Sequence, residues 1–261
     1  METFVKTKIP IHRLYNVAIN EKSLGMMNVL ITGTSSGLGY GFAKYYLNKG
    51  NVVYGISRRQ NPDLKTYENF RFLFQDLSNF IEVETNIVSF LNGLESLDLV
   101  ILNAGILKEI KDIKDTSLDE IQEVMKINVW ANKIIIDTLF NHLKEIRQIV
   151  AISSGAAVSG ARGWNAYSLS KATLNMLISL YAKEHTNTHF TALAPGLIKT
   201  KMQDYIYDFP ENEHYPVVAR LKHSRNTGEM PEPEEAAEIN ALAIAKTLNY
   251  KSGSFLDSRN L

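Results

Sequence analysis

Three short stretches of this 261-residue chain bring together residue types that can do chemistry. The first is Thr32-Gly33-Thr34-Ser35-Ser36-Gly37-Leu38-Gly39, between an apolar run and a periodic helix. Its glycines let the backbone turn sharply and approach a phosphate, and the helix N-terminus supplies free N–H groups and a positive dipole. Its spacing, G-x-x-x-G-x-G, departs from the usual dinucleotide fingerprint G-x-G-x-x-G and lacks the lysine of a P-loop. The second stretch holds Tyr167 and Lys171, four apart and therefore on one helical face. An ammonium beside a phenol favours the phenolate and draws its pKa down from about 10, so Tyr167 is a candidate acid. The third is Ser154, which follows an apolar run and precedes Tyr167 by 13 positions. Its hydroxyl can hydrogen-bond the same substrate oxygen that Tyr167 would protonate.

The first stretch permits a rival chemistry. Gly33-Thr34-Ser35-Ser36-Gly37 satisfies G-x-S-x-G, the nucleophile elbow of serine hydrolases, with Ser35 as nucleophile. That motif needs an oxyanion-hole loop from an earlier strand, and no convincing strand precedes this turn. His185, His189, His214 and His223 follow it at no spacing that recruits one of them as the base. A third reading is a non-catalytic NADP-sensing protein. Sensing alone, however, places no demand on Tyr167 with Lys171.

The elements that must position these residues alternate. Asn28–Thr32, Val52–Ile56, Phe70–Phe74, Leu97–Leu102, Gln148–Ile152 and Phe190–Ala194 are short apolar runs of the kind that form buried strands. Helical periodicity covers Leu38 to about Asn48, Ile81–Leu91, Ser117–Ile146, Tyr167–His185 and Pro233–Leu248, with Gly50 placed to stop the first and Ser117-x-x-Glu120 forming a capping box. Strands alternating with helices pair in parallel through right-handed crossovers. The expected fold is α/β: one Rossmann-like domain over 27–261 with a doubly wound, mostly parallel sheet. Residues 1–26 lack sustained periodicity and a secretory signal's apolar stretch, and form an arm of unknown use. The segment 201–233 is long and rich in Tyr, Pro and charge, and is expected to be a mobile lid over the substrate.

Composition narrows the function. Lys and Arg number 28 against 28 Asp and Glu, and this neutral balance argues against a nucleic-acid partner. No run approaches the roughly 18 apolar residues of a transmembrane helix, and without cysteine there is neither a disulfide framework nor a thiolate metal site. The expectation is a cytoplasmic protein acting on a small molecule, with no nucleic-acid or membrane partner and no metal.

From about Asn28 to Asp257 the chain resembles the short-chain dehydrogenase/reductase family. Thr32–Gly39 is similar to its T-G-x-x-x-G-x-G turn, Asp76-Leu77 to its adenine-side contact, and Asn103-Ala104-Gly105 to its N-A-G motif. Pro195-Gly196, with Ile198 and Thr200, resembles its P-G-x-x-x-T nicotinamide loop. Asn128, Ser154, Tyr167 and Lys171 fall where its catalytic tetrad falls. The resemblance implies hydride transfer between a nicotinamide and a carbonyl or secondary alcohol. It assigns cofactor contacts to Gly33, Ser35, Ser36, Gly37, Leu38 and Gly39 and to the motifs above, with Tyr167 and Lys171 serving both tasks. It also implies that Asn128 interrupts its helix and holds a water linking Lys171 to solvent. Ser153-Ser154-Gly155-Ala156-Ala157 with Gly163-Trp164 looks most like the sepiapterin-reductase and benzil-reductase branch. The chain's end, Gly253–Asp257, lacks the paired glycines common in the family's last strand.

Two finer expectations follow. The second strand runs into Ser57-Arg58-Arg59 with no carboxylate at the point where the adenosine ribose would lie. Guanidiniums attract a 2′-phosphate and an acidic residue would repel it, so the expected cofactor is NADP(H). For the substrate, Trp164, Met202, Tyr205, Tyr207 and Phe209 are candidates to line an apolar pocket. Trp130, Ile134, Ile135, Ile136, Leu139 and Phe140 make one helix apolar on several faces, which suggests a homo-oligomer, dimer or tetramer.

Overall fold

Short β-branched and leucine-rich runs with no polar face can only be satisfied between two layers of helices. The computed structural model, which describes residues 25–211, 213–225 and 227–261, shows that arrangement. The expected arm at 1–26 lies almost wholly outside the described residues. In chain order the elements are β1 (Asn28–Thr32), α1 (Gly37–Asn48), β2 (Val52–Ser57), β3 (Phe70–Phe74), α2 (Phe80–Phe90), β4 (Ser96–Leu97) and β5 (Leu99–Leu102). Then come α3 (Leu118–Met125), α4 (Ala131–His142), β6 (Glu145–Ile146), β7 (Gln148–Ile152), α5 (Ala156–Ser159) and α6 (Asn165–Glu184). The last are β8 (His189–Ala194), α7 (Lys201–Asp208), α8 (Pro216–Arg225), α9 (Pro233–Thr247) and β9 (Ser254–Asp257).

Seven strands form one sheet in the order β3-β2-β1-β5-β7-β8-β9, and every pairing is parallel. The order reverses between β1 and β5, which opens a crevice at the strands' carboxyl ends. One face is covered by α1 and α9, through Phe42, Leu47, Ala237 and Ile244. The other is covered by α2, α4 and α6, through Ile87, Ile135, Leu139, Leu174 and Ile178.

Several expected boundaries move for identifiable reasons. The strand expected over Leu97–Leu102 breaks at Asp98, whose carboxylate accepts a hydrogen bond from the Asn28 N–H at 2.8 Å. Leu97 then pairs with Ile146 in a separate two-stranded ladder, and Leu99 onward pairs with β1. The helix expected over Ser117–Ile146 is three pieces: α3, a π-helical turn at Lys126–Trp130, and α4. Its start is as expected, because Ser117 and Glu120 form the reciprocal capping box. The apolar faces of α4 mostly serve the chain's own core: Ile135, Ile136 and Leu139 are fully buried and Ile134 and Phe140 pack against them, while Trp130 remains 42% exposed. The segment 201–233 is not structureless but carries α7 and α8.

Helices α1 and α9 meet at Gly41, where a Cβ would stand 2.2 Å from the Pro233 carbonyl oxygen. Backbone cannot give way as a flexible side chain can, so Gly41→Ala should lower stability by about 1–3 kcal/mol. Urea unfolding should show a lower midpoint with unchanged slope.

Candidate active site

The turn between β1 and α1 has the shape its glycines require. Gly33 (φ +80°) and Gly37 (φ +60°) adopt left-handed backbone, and the Gly33 N–H donates to the Ile56 carbonyl at 2.7 Å. Gly39 is needed for a different reason, since a Cβ there would lie 2.4 Å from Asn103 Nδ2. No side chain caps α1, so the N–H groups of its first turn stay available to an anion. Asn103 and Ala104 brace this turn: both backbone N–H groups donate to Thr32 Oγ1 at 3.0 Å, and Asn103 Nδ2 donates to the Thr32 carbonyl at 3.0 Å. Thr32, fully buried, thus anchors the site although its residue type alone did not mark it out.

A cleft of about 1630 Å³ runs along the carboxyl ends of the strands. Of the sequence-predicted residues it is lined by Gly33, Ser35, Ser36, Gly37, Leu38, Arg58, Arg59, Asp76, Leu77, Asn103, Ala104, Gly105, Ser154, Tyr167, Lys171, Pro195, Gly196, Ile198 and Thr200. Gly39 and Asn128 stand behind its wall and act on lining residues. The exposed Arg58 and Arg59 side chains reach the cleft without an ion pair among the described residues. Asp76 accepts the Ser78 N–H at 2.9 Å, and this bond, with smaller help from Arg58 and Lys126, holds its carboxyl below the usual range. The P-G-x-x-x-T loop closes onto the glycine turn. A Cβ on Gly37 would lie 3.3 Å from the Thr200 methyl, and Asn240 of α9 holds the Pro195 carbonyl at 3.1 Å. An open helix N-terminus, a backbone cradle and two uncommitted guanidiniums along one cleft suit a dinucleotide.

Ser154, Tyr167 and Lys171 line the same cleft. Lys171 is 4% exposed, and its ammonium donates to the Ile152 carbonyl at 2.7 Å. Burial lowers its pKa to about 8. Burial also pushes the Tyr167 phenol above its ordinary value, and a hydrogen bond from Ser154 partly offsets this. The lowering of Tyr167 by Lys171 expected from their spacing is therefore absent from this geometry: the ammonium is turned to the Ile152 carbonyl and lies 5.5 Å from the phenol ring's centre.

Asn128 sits in the π-helical turn, buried. Its Oδ1 accepts the Ile106 N–H at 2.8 Å, and its Nδ2 donates to the Ile106 carbonyl and to Ser170 Oγ at 3.0 Å each. The widened turn turns this side chain inward, and Asn132 Nδ2 takes the Asn128 carbonyl at 2.9 Å. A Cβ on Gly105 would find Asn128 Oδ1 at 3.3 Å and Lys171 Nζ at 3.6 Å, so the N-A-G loop and these two side chains meet at one point. Ser170, also buried, was missed in the sequence because its polar partner lies 42 positions away.

The apolar end of the cleft differs from the expected pocket. Trp164 and Met202 line it, whereas Tyr205, Tyr207 and Phe209 do not. Tyr205 and Phe209 are spent on packing beside Tyr215, and the Tyr207 ring carries the Arg225 guanidinium at 4.7 Å. The wall is formed instead by Leu107, Leu197, Ile206, Val217 and Leu221, most of them parts of a small cluster that also holds Trp164 and touches Tyr167. At the other end, Ser35 has no strained elbow. No non-glycine residue among the described ones has positive φ, and Ser35 has no histidine partner among them. Nothing therefore supports the hydrolase reading. No three potential metal-ligating side chains cluster among the described residues, and no described helix is long and apolar enough to cross a membrane.

A family model described as short chain dehydrogenase matches residues 27–211. A benzil reductase, (S)-benzoin forming, of Bacillus cereus is 31% identical over 82% of this chain and 92% of its own. An uncharacterized oxidoreductase of Schizosaccharomyces pombe is 28% identical over 88% of this chain and 95% of its own. A short chain dehydrogenase/reductase structure from Saccharomyces cerevisiae shares the fold with a TM-score of 0.77, at 22% identity, over 90% of this chain and 96% of that one. The benzil reductase among these relatives accords with the branch expected from Ser153–Ala157 and Gly163-Trp164. Matched by that family's model and sharing its parallel sheet, the chain belongs to the short chain dehydrogenases, oxidoreductases that work with a nicotinamide nucleotide.

Proposed function

We propose that the protein is an NADP(H)-dependent carbonyl reductase acting on a small apolar or aromatic substrate, with vicinal dicarbonyls the favoured class. The observation that carries this reading is that one cleft holds Ser154, Tyr167 and Lys171 together with the open N-terminus of α1 and the two uncommitted guanidiniums of Arg58 and Arg59. The benzil reductase activity of a relative 31% identical supports the substrate class. Gly33, Gly37 and the first turn of α1 would hold the cofactor's diphosphate, Arg58 and Arg59 its 2′-phosphate, and the loop Pro195–Thr200 its nicotinamide end.

The bound nicotinamide supplies the hydride that reaches the carbonyl carbon. The Ser154 hydroxyl donates to the carbonyl oxygen and orients it. Tyr167 gives its phenolic proton to that oxygen, so hydride and proton together yield the secondary alcohol. Burial that raises the phenol keeps Tyr167 protonated and ready to donate. The ammonium of Lys171 steadies the phenolate left behind, and Asn128, beside it at Gly105, lies on the route by which a proton returns. Segment 201–233 would act as a lid, its helices seating Ile206 and Leu221 on Trp164 over the substrate. A homo-oligomer would use the face where Trp130 of the π-helical turn and Leu169, Met176 and Leu180 of α6 stay exposed.

Tyr167→Phe should cut turnover by about 10²–10⁴-fold while NADPH affinity survives, since only the acid is removed. Steady-state reduction of benzil alongside a fluorescence titration with NADPH checks this, and near-normal turnover defeats the mechanism. The lowered Lys171 pKa has a direction for activity too. Its charge is present below about 8 and lost above it, so carbonyl reduction should decline as pH rises through about 8. A pH–rate profile that stays flat well above that value counts against Lys171. NADPH should bind at least about ten-fold tighter than NADH, and replacing both Arg58 and Arg59 by Ala should remove most of that preference. Equal dissociation constants for the two cofactors at moderate salt would sink the assignment.

A further inference from the structure

The lid helix α8 carries two arginines with opposite fates. Arg225 is committed: its Nη2 donates to Asp204 Oδ1 at 2.5 Å, tying α8 to α7, and its guanidinium lies on the Tyr207 ring. Arg220 is not. Its exposed side chain lines the cleft and has no hydrogen bond or ion pair among the described residues. It shares the cleft face of α8 with Val217, Leu221 and Ser224, the i, i+3, i+4, i+7 pattern of a single helical stripe. Leu221 and Val217 belong to the apolar cluster that contains Trp164 and touches Tyr167, so Arg220 stands over the apolar end of the cleft. The opposing charge on this wall is Glu229, whose carboxylate already accepts the Ser224 hydroxyl at 3.0 Å. His223 lines the same wall and adds no negative charge.

We infer that Arg220 is a specificity residue that takes a carboxylate on the substrate, placed across an apolar body from the reacting carbonyl. The inference rests on the carbonyl-reductase reading and narrows its substrate to keto acids with an apolar or aromatic body. A planar guanidinium with no internal partner matches a carboxylate bidentately. The aliphatic wall beside it accommodates the connecting body, while the carbonyl meets Ser154 and Tyr167. The same guanidinium could instead serve the cofactor's phosphates, which are anions of the same cleft, and the test separates the two sources.

Binding is measured by titration calorimetry on the NADP⁺-loaded full chain, with 4-carboxybenzil and its methyl ester as probes. The acid should bind about ten-fold tighter than the ester, a margin of about 1.4 kcal/mol. In Arg220→Leu that ratio should fall to about one. Arg220→Lys should retain part of it, and Lys222→Met, on the same helix away from the cleft, should retain all of it. A ratio near one in the unmodified protein, no binding of the acid, or an undiminished ratio in Arg220→Leu each overturns the assignment. So does a loss of NADPH affinity in Arg220→Leu with the acid-to-ester ratio intact, which would give Arg220 to the cofactor. Turnover is scored separately: if neither compound is reduced yet the binding ratio behaves as expected, the reductase reading fails and the carboxylate site stands.

Discussion

The seam between β1 and β5 is the constraint on which the rest of this molecule depends. At that seam the order of a parallel sheet reverses, so two crossover connections leave in opposite directions and a crevice opens between them. The crevice would be a loose gap without the hydrogen bonds that pin it. One buried hydroxyl, Thr32 Oγ1, accepts the N–H groups of Asn103 and Ala104, while the Asn103 side chain takes the Thr32 carbonyl. Left unpaired, these buried polar groups would each cost about 1–3 kcal/mol. Their pairing brings the backbone after β5 against the glycine turn, so close that residue 39 must be glycine.

From this seam the site extends in two directions with opposite electrostatic character. Toward β2 the cleft is solvated, and Arg58 and Arg59 present charge that water screens until an anion displaces it. Toward α6 the cleft's groups are more deeply buried, with Lys171 4% exposed. There burial lowers Lys171 and raises Tyr167, moving the two pKa values apart, so that the phenol keeps its proton while the ammonium gives its own up more readily. The π-helical turn at Asn128 supports this buried end by directing an amide inward to Ile106 and Ser170. A regular helix would point that side chain elsewhere.

The segment 201–233 adds a third element, built separately from the main core. Helices α7 and α8 carry their own small cluster around Trp164 and Val218, held to one another by Arg225 and Asp204. A cluster of this size resists local opening less than the main core does. The Arg162–Asp112 pair, with Nε to Oδ1 at 2.6 Å, joins the loop before α6 to the loop after β5, and its guanidinium lies over the ring of Tyr215, the residue just before α8.

The sequence by itself determined the alternation of strands and helices, the parallel sheet, the glycine turn and the register of Ser154, Tyr167 and Lys171. These are local properties: strand apolarity has to be buried on both faces, a turn into a helix needs glycine, and helical spacing of four sets one face. Tertiary structure alone decided what depends on distant partners. Asp98 breaks a strand because Asn28 presents its N–H, and Asn128 interrupts a helix because Ile106 and Ser170 receive its amide. The pocket wall came from Leu107, Leu197 and Val217 rather than from Tyr205, Tyr207 and Phe209, because which face of a short amphipathic helix meets the cleft depends on its docking and not on its composition. The same holds for Tyr167 and Lys171, whose spacing promised a lowered phenol. Burial is the larger effect on both groups, and burial is a property of the packed chain.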